Sequence, residues 1–137
     1  MAGWLVKQEP AAYSWDRLVE EGRAVWDGVR NAQARNNLAA MKKGDSVLFY
    51  HSGDDRAVIG VAKVARTAYP DPTSDDPRWV AVDLVPARKL AHPVTLARIK
   101  AHPPLANMAL VRQSRLSVMP VTDAEMKAIL ELAKTSQ

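Results

Sequence analysis

The sequence predicts an α+β domain built on a small, mostly antiparallel β-barrel of about five strands, flanked by short helices. Three observations point there. Strand-like runs recur along the chain, in "GWLVKQEP", "DSVLFYHS", "AVIGVAKVART", "RWVAVDLVPARKL" and "RLSVMPV". They are not separated by the regular helical patterns of roughly 10–15 residues that a parallel α/β sheet requires. The 137 residues contain no repeat, linker or low-complexity segment, so one domain over 1–137 is expected, long enough to bury a core without staples.

The first run should stop at Pro10. Ser14 is placed as an N-cap, with Asp16 in the first turn, Leu18 and Val19 on the buried side, and Gly22 ending the helix. Asn31 is a second N-cap. Behind it "AQARNNLAAMKK" puts Ala34, Leu38 and Met41 on one face, with Lys42 and Lys43 at the C-terminal dipole and Gly44 as the stop. "DSVLFYHS" is a strand followed by the turn "SGDDR". The β-branched "AVIGVAKVART" is a central strand, in which Gly60 predicts a bulge or a close backbone approach. The prolines and aspartates of "YPDPTSDDP" predict a loop, and Val80, Val82 and Leu84 alternate along the next strand. Thr95 caps a short helix that fails before Pro103 and Pro104. Thr122 and Glu125 have capping-box spacing ahead of a helix whose face is Met126, Ile129, Leu130 and Ala133.

Composition narrows the function classes. The absence of cysteine excludes disulfides and thiolate zinc sites and fits a reducing compartment, and no run reaches the roughly 18 apolar residues of a membrane span. With no signal peptide in "MAGWLVKQEP", a cytoplasmic location is expected. The net charge of +4 permits a polyanionic partner without demanding one. From Asn107 to Val121 there are two arginines, Arg112 and Arg115, and no acid, which marks a positive surface for phosphate.

No catalytic constellation is visible. His51, His92 and His102 stand apart without metal-ligand spacing, no phosphate-cradling glycine motif occurs, and no serine lies in a nucleophile elbow. No catalytic residue, metal or cofactor is therefore expected. Asp54 and Asp55 read as a solvated turn. The stronger signal is "VWDGVRNAQARNNL", residues 25–38, where Trp26 precedes Asp27, Arg30, Asn31, Gln33 and Asn37. Amides and guanidinium groups suit planar, directional recognition, and an indole offers a face for stacking. Asp27 and Arg30 are close enough in sequence to pair and fix the turn.

"WLVKQEP", "YSWDRLVEEG", "WDGVRNAQARNN", "MKKGDSVLFYHS", "VIGVAKVARTAYPDPT" and "MALVRQSRLSVMPV" resemble, in order and spacing, the EVE domain, a PUA-like family similar to the YTH readers of N6-methyladenine in RNA. The resemblance implies a small β-barrel with flanking helices and a non-enzymatic module that recognises a modified base, such as 5-methylcytosine or 5-hydroxymethylcytosine in DNA, or a modified RNA base. It implies Trp26 as the cage aromatic, with Lys7, Asn31, Ser52, Tyr69 and Ser114 around the base and Arg30, Arg112 and Arg115 toward the phosphates. The Tyr69 assignment rests on its place at the start of the proline-rich loop, where a lid is expected. Two positions depart from the family pattern. Gln8 stands where serine is usual, and Ala32 stands where an aromatic is usual; either would alter the pocket if it lines it. A module of the same fold that binds a free nucleobase or metabolite remains open, as does an RNA-processing enzyme with a concealed site.

Overall fold

The computed structural model describes residues 2–135. Its elements are β1 (Gly3–Gln8), α1 (Trp15–Glu21), β2 (Ala24–Trp26), α2 (Ala32–Ala40), β3 (Ser46–His51), β4 (Ala57–Pro70), β5 (Val80–Thr95), α3 (Leu96–Ala101), a 3-10 turn at Pro103–Leu105, α4 (Ala109–Arg112), β6 (Val118–Val121) and α5 (Asp123–Leu132). The strands form one six-stranded sheet in the order β2-β5-β4-β3-β1-β6. All neighbours are antiparallel except β1 and β3, which run parallel with Lys7 beside Tyr50 and Gln8 beside His51.

The α+β class and the antiparallel bias are as expected; the closed barrel is not. Closure would require β2 to pair with β6, and those edge strands have only 3 and 4 residues. Helix α2 packs on β6 and also on β4 and β5. Its Asn37 donates from Nδ2 to the Val118 carbonyl at 2.7 Å, covering part of the edge with a side chain.

Local chemistry explains most element ends. Ser14, Asn31, Thr95 and Thr122 each accept a hydrogen bond from a backbone N–H of the first turn, and Thr122 and Glu125 complete a reciprocal box. Gly22 ends α1 in the left-handed conformation at φ 77°. Three details differ from expectation. Val19 is 52% exposed, because the short α1 buries only Trp15 and Leu18. Helix α2 stops at Ala40, with Met41 extended and buried as its C-cap, so Lys42 and Lys43 lie in the following turn. Strand β4 runs on to Pro70, confining the loop to 71–79.

Trp15, Phe49, Leu5, Leu18, Leu48 and Leu84 are among the fully buried side chains. Phe49 is the hub of an aromatic column. Its ring meets Trp15 at 5.7 Å, Trp26 at 5.5 Å and His51 at 5.6 Å, all edge-on. His51 ties α1 to β3: Nε2 accepts from the Trp15 backbone N–H at 3.0 Å, so the ring proton of the neutral form sits on Nδ1 and is donated to Asp55, 3.0 Å away. Asp55 thus closes on the histidine instead of simply facing solvent.

Gly60 fulfils both halves of its expectation. The β4–β5 register shifts between Val58 and Gly60, and a Cβ added at Gly60 would lie 2.7 Å from three carbon atoms of the Trp15 ring. That ring is locked in the core and cannot retreat cheaply. Gly60→Ala is expected to destabilise the fold by about 1–3 kcal/mol through overpacking. Urea unfolding should show a lower midpoint at unchanged slope; an unaltered midpoint would mean the Trp15 pocket relaxes freely.

Candidate functional site

Trp26 closes the short strand β2, paired with Val82 of β5. It is 6% exposed, so it belongs to the core, yet it also borders a surface cavity of about 190 Å³. Gln8, Tyr13, Val25 and Asp27 line the same cavity. Tyr13 stands edge-on to Trp26 at 6.1 Å. Its hydroxyl donates to Glu21 at 2.8 Å, and the Arg17 guanidinium lies 4.9 Å over its ring. Burial and the bond to Glu21 push this phenol up to about 12, so it stays a donor at neutral pH. Burial, reinforced by the nearby charge of Asp71, pushes the Asp27 carboxyl above its ordinary value. The cavity thus combines an indole, a second aromatic wall, an amide and a carboxyl among its lining residues.

Gln8 lines the cavity, so the position at which the sequence departs from the pattern it resembles lies at the pocket. Tyr13 was not singled out from the sequence. Its signal is its position between the Pro10 turn and the Ser14 cap, where β1 hands over to α1 and an aromatic must face one of them.

Lys7, Ser52 and Ser114 are brought together, but away from Trp26. They line a second cavity of about 200 Å³ with Tyr50 and Arg56. The reason is strand geometry. Successive side chains of β1 point to opposite faces, so Lys7 and Gln8 diverge at its end. Lys7 Nζ donates to the Ser114 carbonyl at 2.6 Å and lies 5.9 Å from the Tyr50 ring centre. Burial holds this ammonium below the ordinary lysine value. Asn31, Arg112, Arg115 and Gln33 line a third depression of about 360 Å³, joined to the second through Ser114. Asn31 also caps α2, its Oδ1 accepting from Ala34 N at 2.9 Å.

Two residues sit elsewhere. Tyr69 lies within strand β4 opposite Ala81, not on a lid. Its hydroxyl donates to the buried Asp83, and the Arg66 guanidinium lies 3.9 Å from its ring centre. Burial and that bond push the Tyr69 phenol up to about 12. Arg30 does not pair with Asp27. It donates from Nη1 to the fully buried Asp71 carboxylate at 2.9 Å and from Nη2 to Thr73 Oγ1 at 3.0 Å, with Trp79 5.6 Å away. Asp71 also accepts from Gly28 N at 2.8 Å, Thr73 N at 2.7 Å and Thr73 Oγ1 at 2.6 Å. Arg30 is thereby held in the clamp that fixes the turn after Trp26. Among the described residues no histidine, aspartate and glutamate group could hold a metal ion.

The EVE domain family model matches residues 2–132, through both cavities and the basic depression. The chain belongs to the EVE domain family. Mouse thymocyte nuclear protein 1 is 36% identical over 96% of this EVE chain and 74% of its own length. The solved structure of Rpa0253 from Rhodopseudomonas palustris is 45% identical, with a TM-score of 0.94 over 98% of this chain and 94% of that one. A crystal structure of human THYN1 in complex with DNA containing 5-methylcytosine is 34% identical, with a TM-score of 0.93 and complete coverage of both chains, 100% and 100%.

Proposed function

We propose that this EVE domain is a non-enzymatic reader of a modified nucleobase, with modified cytosine in DNA as its leading ligand, and that the Trp26 cavity receives the base. One observation carries the reading: the indole, the Gln8 amide and the Asp27 carboxyl converge on a single cavity of about 190 Å³. Ligand pockets for drug-sized molecules run to roughly 300–1,000 Å³, so this one suits a lone heterocycle. A base turned out of its stack needs an aromatic surface and partners for its hydrogen-bonding edge. A carboxylate is the natural acceptor for the exocyclic amine of cytosine, and small apolar walls such as Ala12 and Val25 suit a methyl group. The human relative crystallised with 5-methylcytosine DNA supports the choice of base. Tyr13, in place of Tyr69, serves as the second aromatic. Arg112 and Arg115, exposed along the basic depression, contact phosphate.

The test is a titration against matched oligonucleotides that differ in one base modification. A preference for one modified base is expected. Equal binding to all oligonucleotides, with free heterocycles bound as tightly, would make a small-molecule module the better description. Replacing both Arg112 and Arg115 with Ala should weaken modified and unmodified strands alike and flatten the salt dependence by about two phosphate contacts. An unchanged salt slope would remove these arginines from the interface.

A further inference from the structure

The second cavity carries a different chemistry from the first. Two cationic residues, Lys7 and Arg56, border its space of about 200 Å³ together with Ser52 and Ser114, and no acid lines it. Among the described residues neither cation lies within salt-bridge distance of a carboxylate. Of the two aspartates in the adjoining turn, Asp55 is engaged by His51 and Asp54 is exposed. The half-buried Lys7 ammonium has a carbonyl as its hydrogen-bond partner, and its desolvation is uncompensated by any counter-charge.

Arg56 adds an independent observation. It is the non-glycine residue of the described chain that adopts positive φ, at 41°. Its carbonyl accepts from Leu96 N at 2.7 Å, and its Nε donates to Gly53 O at 3.3 Å. Glycine would take this conformation without strain. An arginine at a strained position points to a use for its side chain.

We infer that the cavity bordered by Lys7, Ser52, Arg56 and Ser114 is a phosphate site, and that it holds a backbone phosphate of the strand whose base enters the Trp26 cavity. The strand assignment rests on the nucleic-acid reading above; the anion site does not. Two cations of different shape, a point-like ammonium and a planar guanidinium, match the oxygens of a phosphate group. The two cavities meet at the end of β1, where the adjacent residues Gln8 and Lys7 each line one of them. A strand crossing that end can therefore place a base in one and a phosphate in the other.

The experiment is an NMR titration of the intact chain with inorganic phosphate, following the Lys7 side chain and the Arg56 Nε–H. Saturable shifts of both are expected, with the Lys7 pKa rising as phosphate binds. Lys7→Gln and Arg56→Gly should each weaken phosphate at least tenfold, and Arg56→Gly should at the same time raise Tm by relieving the backbone. An unmodified oligonucleotide should displace the phosphate. No saturable shift, or phosphate affinity retained in Arg56→Gly, would overturn the anion site. Phosphate binding that no oligonucleotide displaces would overturn the strand assignment. Phosphate and oligonucleotide binding without preference for a modified base would strike the base reading and leave this site standing.

Discussion

Asp71→Ala should lower the stability of the fold by about 3 kcal/mol, the lower end of the range for breaking a buried ion pair from one side. The carboxylate is wholly buried and holds Gly28, Arg30 and Thr73 by hydrogen bonds. Arg30 is 40% exposed and can return to water, which keeps the loss from being larger. The pH dependence has a definite sign. Burial pushes the Asp71 carboxyl up, but the bonds from Thr73, Arg30 and Gly28 outweigh it and hold it well below the usual carboxylate range. A depressed folded value means that the unfolded chain binds the proton more readily. The stabilisation is therefore complete above about pH 4 and is lost as pH falls toward the folded value. Denaturant midpoints measured from pH 7 down to the acid limit should fall more steeply in the wild type than in the variant. Asp71→Asn, which keeps one acceptor oxygen, should recover part of the loss without the acid sensitivity. A variant within about 0.5 kcal/mol of wild type would show that the clamp is dispensable.

Trp26→Ala should reduce affinity for the preferred modified base roughly tenfold to a hundredfold, since base–aromatic stacking is worth about 1–3 kcal/mol. Binding to unmodified backbone should persist, because phosphate contacts position a strand and base contacts specify it. Trp26 also packs edge-on against Phe49 and Tyr13, so the same change should cost about 3–5 kcal/mol of stability. Trp26→Phe separates the two effects. It keeps a ring against Phe49 and should give intermediate affinity in a folded protein. Equal affinity of wild type, Trp26→Phe and folded Trp26→Ala for the modified strand would remove Trp26 from base recognition.

What the sequence disclosed was chiefly local. Ser14, Asn31, Thr95 and Thr122 cap helices because a cap involves only residues a few positions apart. Gly60 was legible because a glycine forfeits packing in a β-branched strand unless a bulge or a close neighbour requires it. The barrel was misjudged because closure depends on whether the two edge strands meet, and periodicity carries no information on edges. Arg30 finds Asp71, 41 residues away, on a loop whose sequence does not mark one aspartate as its partner. The division of the site follows the pleat of β1: Lys7 and Gln8 point to opposite faces at its end, and they line different cavities. Trp26 was found by its polar neighbours, whereas Tyr13 depends on how the β1–α1 turn folds back.

The placement of β1 has a consequence for how the chain is made. This first strand lies between β3 and β6, so its neighbours are residues 46–51 on one side and 118–121 on the other. During synthesis β1 leaves the ribosome long before β6, its second partner, exists. Its flank must wait, with one edge uncovered, until residues 118–121 have emerged. Pairings this distant slow the search for the native state and lengthen exposure to aggregation. Strand β1 is thus sealed only after residues 118–121 are made, and a chain lacking β6 would leave Gly3–Val6 paired on the β3 side alone.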